Sequence, residues 1–164
     1  MDTPLKIYLQ DSAFAHCIFS NNPLPPKQFT DRVEWVRDDS FTNQDIVVWT
    51  DIDIPNALYR PGKNIAWLIE AYDHIPHLYE FVAKNADKFE AIWTHDVEMV
   101  ATLPNATLLP YGGCWIDDFD WGIHPKSKDF SIIASAKQQL PGHKMRHQII
   151  AGSQGRVDVF GGGY

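Results

Sequence analysis

"NIAWLIEAYDHIPHLYEFVAKNADKFEAIWTH", residues 64–95, sets two short apolar runs on either side of one helical pattern. The first run, "NIAWLIE" (64–70), carries β-branched and aromatic residues and predicts a buried strand. Pro76 then stands near the start of an amphipathic segment over 77–88, with Leu78, Phe81 and Val82 on one face. "FEAIWTH" (89–95) returns to strand composition. A strand, a helix and a strand at this spacing form a βαβ unit, and the two strands of such a unit run parallel. The odd feature is Glu70, an acid that ends a strand otherwise built for a core.

The same alternation extends in both directions. Upstream, "DIVVWTDID" (45–53) predicts a buried strand closed by Pro55, and "LKIYL" (5–9) predicts another. Between them "FAHCIFS" (14–20) is an apolar run that fits helix or strand, and "NNPLPP" (21–26) is a loop. Downstream, Asp96 is placed to cap a short helix over 97–102, and "ATLLPYGG" (106–113) is a strand running into a glycine turn. After an aromatic and acidic loop, "CWIDDFDWGIHPKSK" (114–128), the pattern restarts. It gives a strand over 129–135, a helix over 142–151 and a strand over 156–161. The class is therefore α/β, with a Rossmann-like, mostly parallel sheet flanked by helices. The loop at 117–128 is the natural boundary and divides the chain into 1–125 and 126–164. The second part is a single βαβ unit, too little for a complete domain, so the chain reads as truncated.

Composition limits the partners. With 45% apolar residues in 164, the chain can bury a real core. A net charge of −7 with only 14 Lys and Arg disfavours nucleic acid, because phosphate neutralisation needs clustered cations. Cys17 and Cys114 are far apart and read as two reduced thiols. Residues 1–10 lack a basic stretch followed by an apolar one, so no signal peptide is expected. No apolar run approaches the ~20 residues of a membrane span, and a cytoplasmic protein is expected.

Ligands of open α/β sheets bind beyond the carboxyl ends of the strands, where Asp51, Asp53, Glu70, Asp96 and Ser135 fall. An acid in that crevice is a usable general base when partial desolvation raises its proton affinity; elsewhere it only ends a strand. "DID" (51–53) fits either a metal-binding D-x-D or a plain strand-end turn, and His74 with His77 lacks a third ligand, so no metal site is expected. "SIIASAKQQLPGHKMRHQII" (131–150) carries Lys137 in a loop and Lys144 and Arg146 early in a helix. That arrangement suits a phosphate or diphosphate, whose charge a helix N-terminus and nearby cations both favour. The alternative is an ordinary amphipathic helix with Met145 and Ile149 turned inward. Neither a dinucleotide fingerprint nor a P-loop is present.

"WLIEAYDHIP" (67–76) resembles the E-S-P-x-H-x-P stretch of glycosyltransferase family 10, the α-1,3/4-fucosyltransferases. The match comprises an aromatic-led apolar strand, the acid, a histidine four residues on and a proline two beyond it. "FEAIWTHD" with "LPYGG", and then "KDFSIIASAKQQLPGHKMRHQIIAGSQGRVDVFGGG" (128–163), are similar to the family's later segments in the same order. The resemblance covers about residues 45–164. It departs at Ala71-Tyr72, where the family has Ser-Pro, and at Ala136, where the family has Asn.

The resemblance implies the N-terminal half of a GT-B architecture, with an acceptor-side domain over 1–125 and the first βαβ unit of a donor domain over 126–164. It implies an inverting, metal-free enzyme with no cofactor, using a GDP-sugar such as GDP-fucose as donor and a glycan as acceptor. Glu70 would be the catalytic base. Ser135, Lys137, Arg146 and Gly161 would meet the donor, and His74, Trp115 and Trp121 the acceptor. The family's later donor-binding segment would lie beyond Tyr164, so these residues alone are expected to be inactive. Two other readings stay open. One is a non-catalytic glycan- or protein-binding module, with Trp93, Tyr111, Trp115 and Trp121 as stacking surfaces. The other is a different GT-B nucleotide-sugar enzyme.

Overall fold

The computed structural model describes residues 3–12, 32–110, 122–125, 127 and 129–162. The chain divides into two compact units, Met1–Gly112 and Gly113–Tyr164. In the first unit the strands are β1 (Leu5–Gln10), β2 (Val33–Val36), β3 (Ile46–Thr50), β4 (Lys63–Leu68), β5 (Ala91–Thr94) and β6 (Ala106–Leu108). Helix α1 (Pro76–Lys84) precedes β5, and α2 (Val97–Thr102) follows it. They form one sheet in the order β2-β1-β3-β4-β5-β6, and every neighbouring pair is parallel. This is the Rossmann-like α/β sheet that the alternation of short runs predicts. Successive strands step one way from β1 to β2, and from β3 onward they step the other way. The direction reverses between β1 and β3, the kind of point at which open α/β sheets bind their ligands.

A parallel sheet covered on its faces needs apolar side chains on both sides of each strand. In β3, Val47 and Trp49 belong to one buried cluster, and Val48 belongs to another. The first cluster joins Leu68, Ile92 and Val82, which are fully buried, to Leu78 and Tyr79 of α1. Full burial of one such aliphatic side chain stabilises by about 1.5–3 kcal/mol, so a few of them fix the sheet's register. On the other face Trp67 and Trp93 stand opposite each other in register and meet edge-on, with ring centroids 5.9 Å apart. Beneath β3, the buried Asn64 Oδ1 accepts from Trp49 Nε1 at 2.9 Å and from the Arg60 guanidinium at 3.1 Å.

Several elements differ from the sequence expectation, and β5, β6 and the two strands over 129–135 and 156–161 are each shorter than expected. β2 was not anticipated; "VEWV" is only four residues long and lies at the sheet edge, so it lacks the apolar run that marks β3 and β4. The strand expected over 45–53 stops at Thr50, and Asp51–Tyr59 winds as 3-10 turns around Pro55, which has no N–H to give a ladder. The helix expected over 77–88 ends at Lys84, where the Asn85 side chain caps the Phe81 carbonyl at 2.8 Å; Ala86–Lys88 is a 3-10 turn. β4 ends at Leu68, which leaves Ile69 and Glu70 beyond the sheet. Asp96 caps α2 as expected, its Oδ1 accepting from Glu98 and Met99 N–H at 2.8 and 2.9 Å.

The second unit pairs β7 (Ser131–Ile133) in parallel with β8 (Asp158–Phe160) and carries α3 (Pro141–Gly152) between them. Gly161 has φ +131°, and a Cβ there would overlap the Ala134 carbonyl oxygen. Only glycine lets the chain after β8 come this close to the chain after β7. Met145 and Ile149 are 59% and 49% exposed, so the ordinary amphipathic reading of α3, with both turned inward, does not hold. The run at 14–20, the loop at 21–26, Cys17, Tyr111, Cys114, Trp115 and Trp121 lie outside the described residues.

Candidate functional site

The carboxyl ends of β3 and β4 bring Asp51 and Glu70 together. Glu70 lies just past β4, with 41% of its side chain exposed. Its Oε2 accepts from His74 Nδ1 at 3.0 Å, and the imidazole is 56% exposed. The i,i+4 spacing arises where Ala71–His74 form a turn ahead of α1, with the His74 N–H bonded to the Ala71 carbonyl at 2.9 Å. The histidine four residues beyond the acid therefore faces that acid, a contact the sequence reading did not anticipate. A carboxylate with one oxygen held by an imidazole N–H keeps its second oxygen for a substrate proton.

In the sequence Asp51 is one of several acids at strand ends, with no role that separates it from the others. It is 1% exposed, and its Oδ1 accepts from the N–H of Ile69 at 2.9 Å and of Glu70 at 3.3 Å. Burial raises its carboxyl above the ordinary value; the two amide bonds oppose that, the Glu70 charge adds to it, and His95 opposes it. The Glu70 carbonyl accepts from the Tyr79 hydroxyl at 2.7 Å, and Tyr79 meets the Tyr72 ring edge-on at 5.4 Å. The available signals were an acid directly after a buried run, and a tyrosine on the apolar face of α1.

The two acids of "DID" diverge. Asp51 turns to the end of β4, and Asp53 takes the N–H and hydroxyl of Ser12, beyond β1, at 2.6 and 2.8 Å. Close to Ser12, Asp11 pairs with Arg37 at 2.7 Å; burial raises its carboxyl, Arg37 opposes this and Asp53 adds to it. Among the described residues no group of three or more His, Cys, Asp or Glu is set to hold a metal ion. An open groove of about 270 Å³ lies beside Tyr79, lined by Tyr72, Glu80, Asp96, Glu98 and Met99.

The expected donor-binding residues fall in the second unit. Ser135 is half-buried just past β7, and Lys137 and Arg146 are exposed. The Lys137 carbonyl accepts from His147 Nε2 at 3.1 Å, which ties the loop to α3. At the start of α3, Leu140 supplies no side-chain cap, and its N–H reaches His143 Nδ1 at 3.3 Å. Gly161 has the close-approach role described above. Trp93, a stacking candidate, is half-buried against Trp67.

The chain matches no known protein family, no curated protein and no solved structure. No helix among the described residues is long and apolar enough to cross a membrane.

Proposed function

We propose that the chain is the acceptor-side part of a glycosyltransferase of the α-1,3/4-fucosyltransferase type, an enzyme that transfers a sugar from a GDP-sugar to a glycan hydroxyl with inversion. The observation that carries this reading is the Glu70–His74 pair at the carboxyl end of β4, in the order and spacing of the resemblance. His74 Nδ1 donates to Oε2, and Oε1 takes the proton of the acceptor hydroxyl. The acceptor oxygen bonds to the anomeric carbon as the bond from that carbon to the diphosphate breaks. The departing GDP carries the electron pair. Within the second unit, the exposed Lys137 and Arg146 are the cations that the resemblance gives to binding of the donor. The groove with the 47% exposed Tyr72 ring offers an aromatic face and carboxylate acceptors to a sugar.

Calorimetric titration with GDP tests the donor half. Saturable binding that weakens about tenfold in Arg146→Ala is expected, as for loss of one charge-assisted contact. In a version extended by the later donor-binding segment that the resemblance implies, transfer from GDP-fucose to a panel of neutral oligosaccharides tests the base. Glu70→Gln is expected to lower the rate ~10²-fold or more, and a rate within threefold of the unsubstituted protein removes Glu70 from that role. The exposed Tyr72 favours a second reading, a glycan-binding module. Saccharide binding with no binding of GDP would select it.

A further inference from the structure

Glu70 has no place in the sheet's ladder, because β4 ends at Leu68, opposite Thr94 of β5. Its main chain is held from two sides instead. Asp51 Oδ1 takes its N–H, and the Tyr79 hydroxyl donates to its carbonyl. Both anchors are themselves fixed, since Asp51 is 1% and Tyr79 3% exposed.

Asp51 holds this place at a cost. Its φ is +39°, a conformation that glycine or asparagine adopts more easily, and its Oδ2 is buried with no hydrogen-bond partner among the described residues. Backbone strain at such a φ and a buried unsatisfied oxygen are both unfavourable. Two unfavourable features at one residue are accounted for when its side chain serves its neighbours rather than its own turn. The bonds it makes go to Ile69 and Glu70.

We propose that Asp51 and Tyr79 are positioning residues that clamp the main chain of Glu70 and so direct its carboxylate toward His74 and the acceptor. The proposal rests on the reading of Glu70 as the base. It adds that the direction of that base is set from β3 and α1 rather than by the strand that carries it.

The test is the His74 Nδ1 resonance in the full chain labelled with 15N-histidine, with Glu70→Ala marking the position it takes when the contact is lost. Asp51→Gly keeps the positive φ and removes the acceptor, and its resonance is expected to move at least half of the way to that mark. Asp51→Asn retains an acceptor oxygen and is expected to stay at the unsubstituted position. Tyr79→Phe removes only a hydroxyl and is expected to move in the same direction as Asp51→Gly. If Asp51→Gly does not fold, Tyr79→Phe and Asp51→Asn decide. A resonance unmoved in Tyr79→Phe, or an asparagine variant that shifts toward the Glu70→Ala mark, overturns the clamp. Failure of the fucosyltransferase reading would appear separately, as transfer indifferent to Glu70→Gln or as absent GDP binding, with the His74 shifts unaffected.

Discussion

Asp51 is where the chemistry of one side chain outweighs the preference of its backbone. Burial disfavours its charged form, so the folded protein binds this proton more tightly than the unfolded chain does. Below the ordinary value of 3.8 both states are protonated and the group costs nothing; as pH rises through the higher folded value, stability is lost. Asp51→Asn removes that loss. Its urea midpoint is expected to gain on the unsubstituted protein at pH 7, and the gain should shrink at pH 3. An equal difference at both pH values would show that the carboxyl is not disfavoured by burial. Glu70 and Asp51 stand out in the sequence as acids at strand ends, and His74 through the resemblance. The hold of Asp51 and Tyr79 on Glu70 is not legible there, since the partner lies 19 and 9 residues away and neither bond has a local pattern.

Elements were legible where local composition and burial agree. β3, β4 and β5 are apolar runs whose residues pack on one face or the other, and α2 has its cap in the adjacent Asp96. They were misjudged at their ends, because a strand stops when its partner or its turn does. Thr50 ends β3 because Asp51 turns to β4, and nothing within "WTDID" says so. β2 is a strand because β1 lies beside it. Gly161 shows the same dependence across β7 and β8. Gly161→Ala is expected to destabilise their pairing by about 2–3 kcal/mol, since the φ is strained for alanine and the Ala134 carbonyl occupies the space for its methyl. Amide exchange of Ala134, whose N–H donates to the Phe160 carbonyl, would report it; unchanged protection would refute the close approach.

At the scale of the molecule the two units differ in how much they bury. The first holds both apolar clusters, whereas in the second α3 has no buried residue and Phe130, Ile133 and Phe160 are 69%, 79% and 52% exposed. Local opening free energy follows buried contact, so hydrogen exchange should be slowest in β3 and β4 and faster over 131–160. Equal protection across both units would contradict that difference. By itself the sequence determined the α/β class and the parallel strands, because hydrophobic periodicity acts within one strand or one helix. Tertiary structure alone decided the order β2-β1-β3-β4-β5-β6, the reversal of direction between β1 and β3, and the hold of Asp51 and Tyr79 on Glu70. Those depend on which strands become neighbours, and that follows from burying both faces of the sheet at once, a condition no single segment carries.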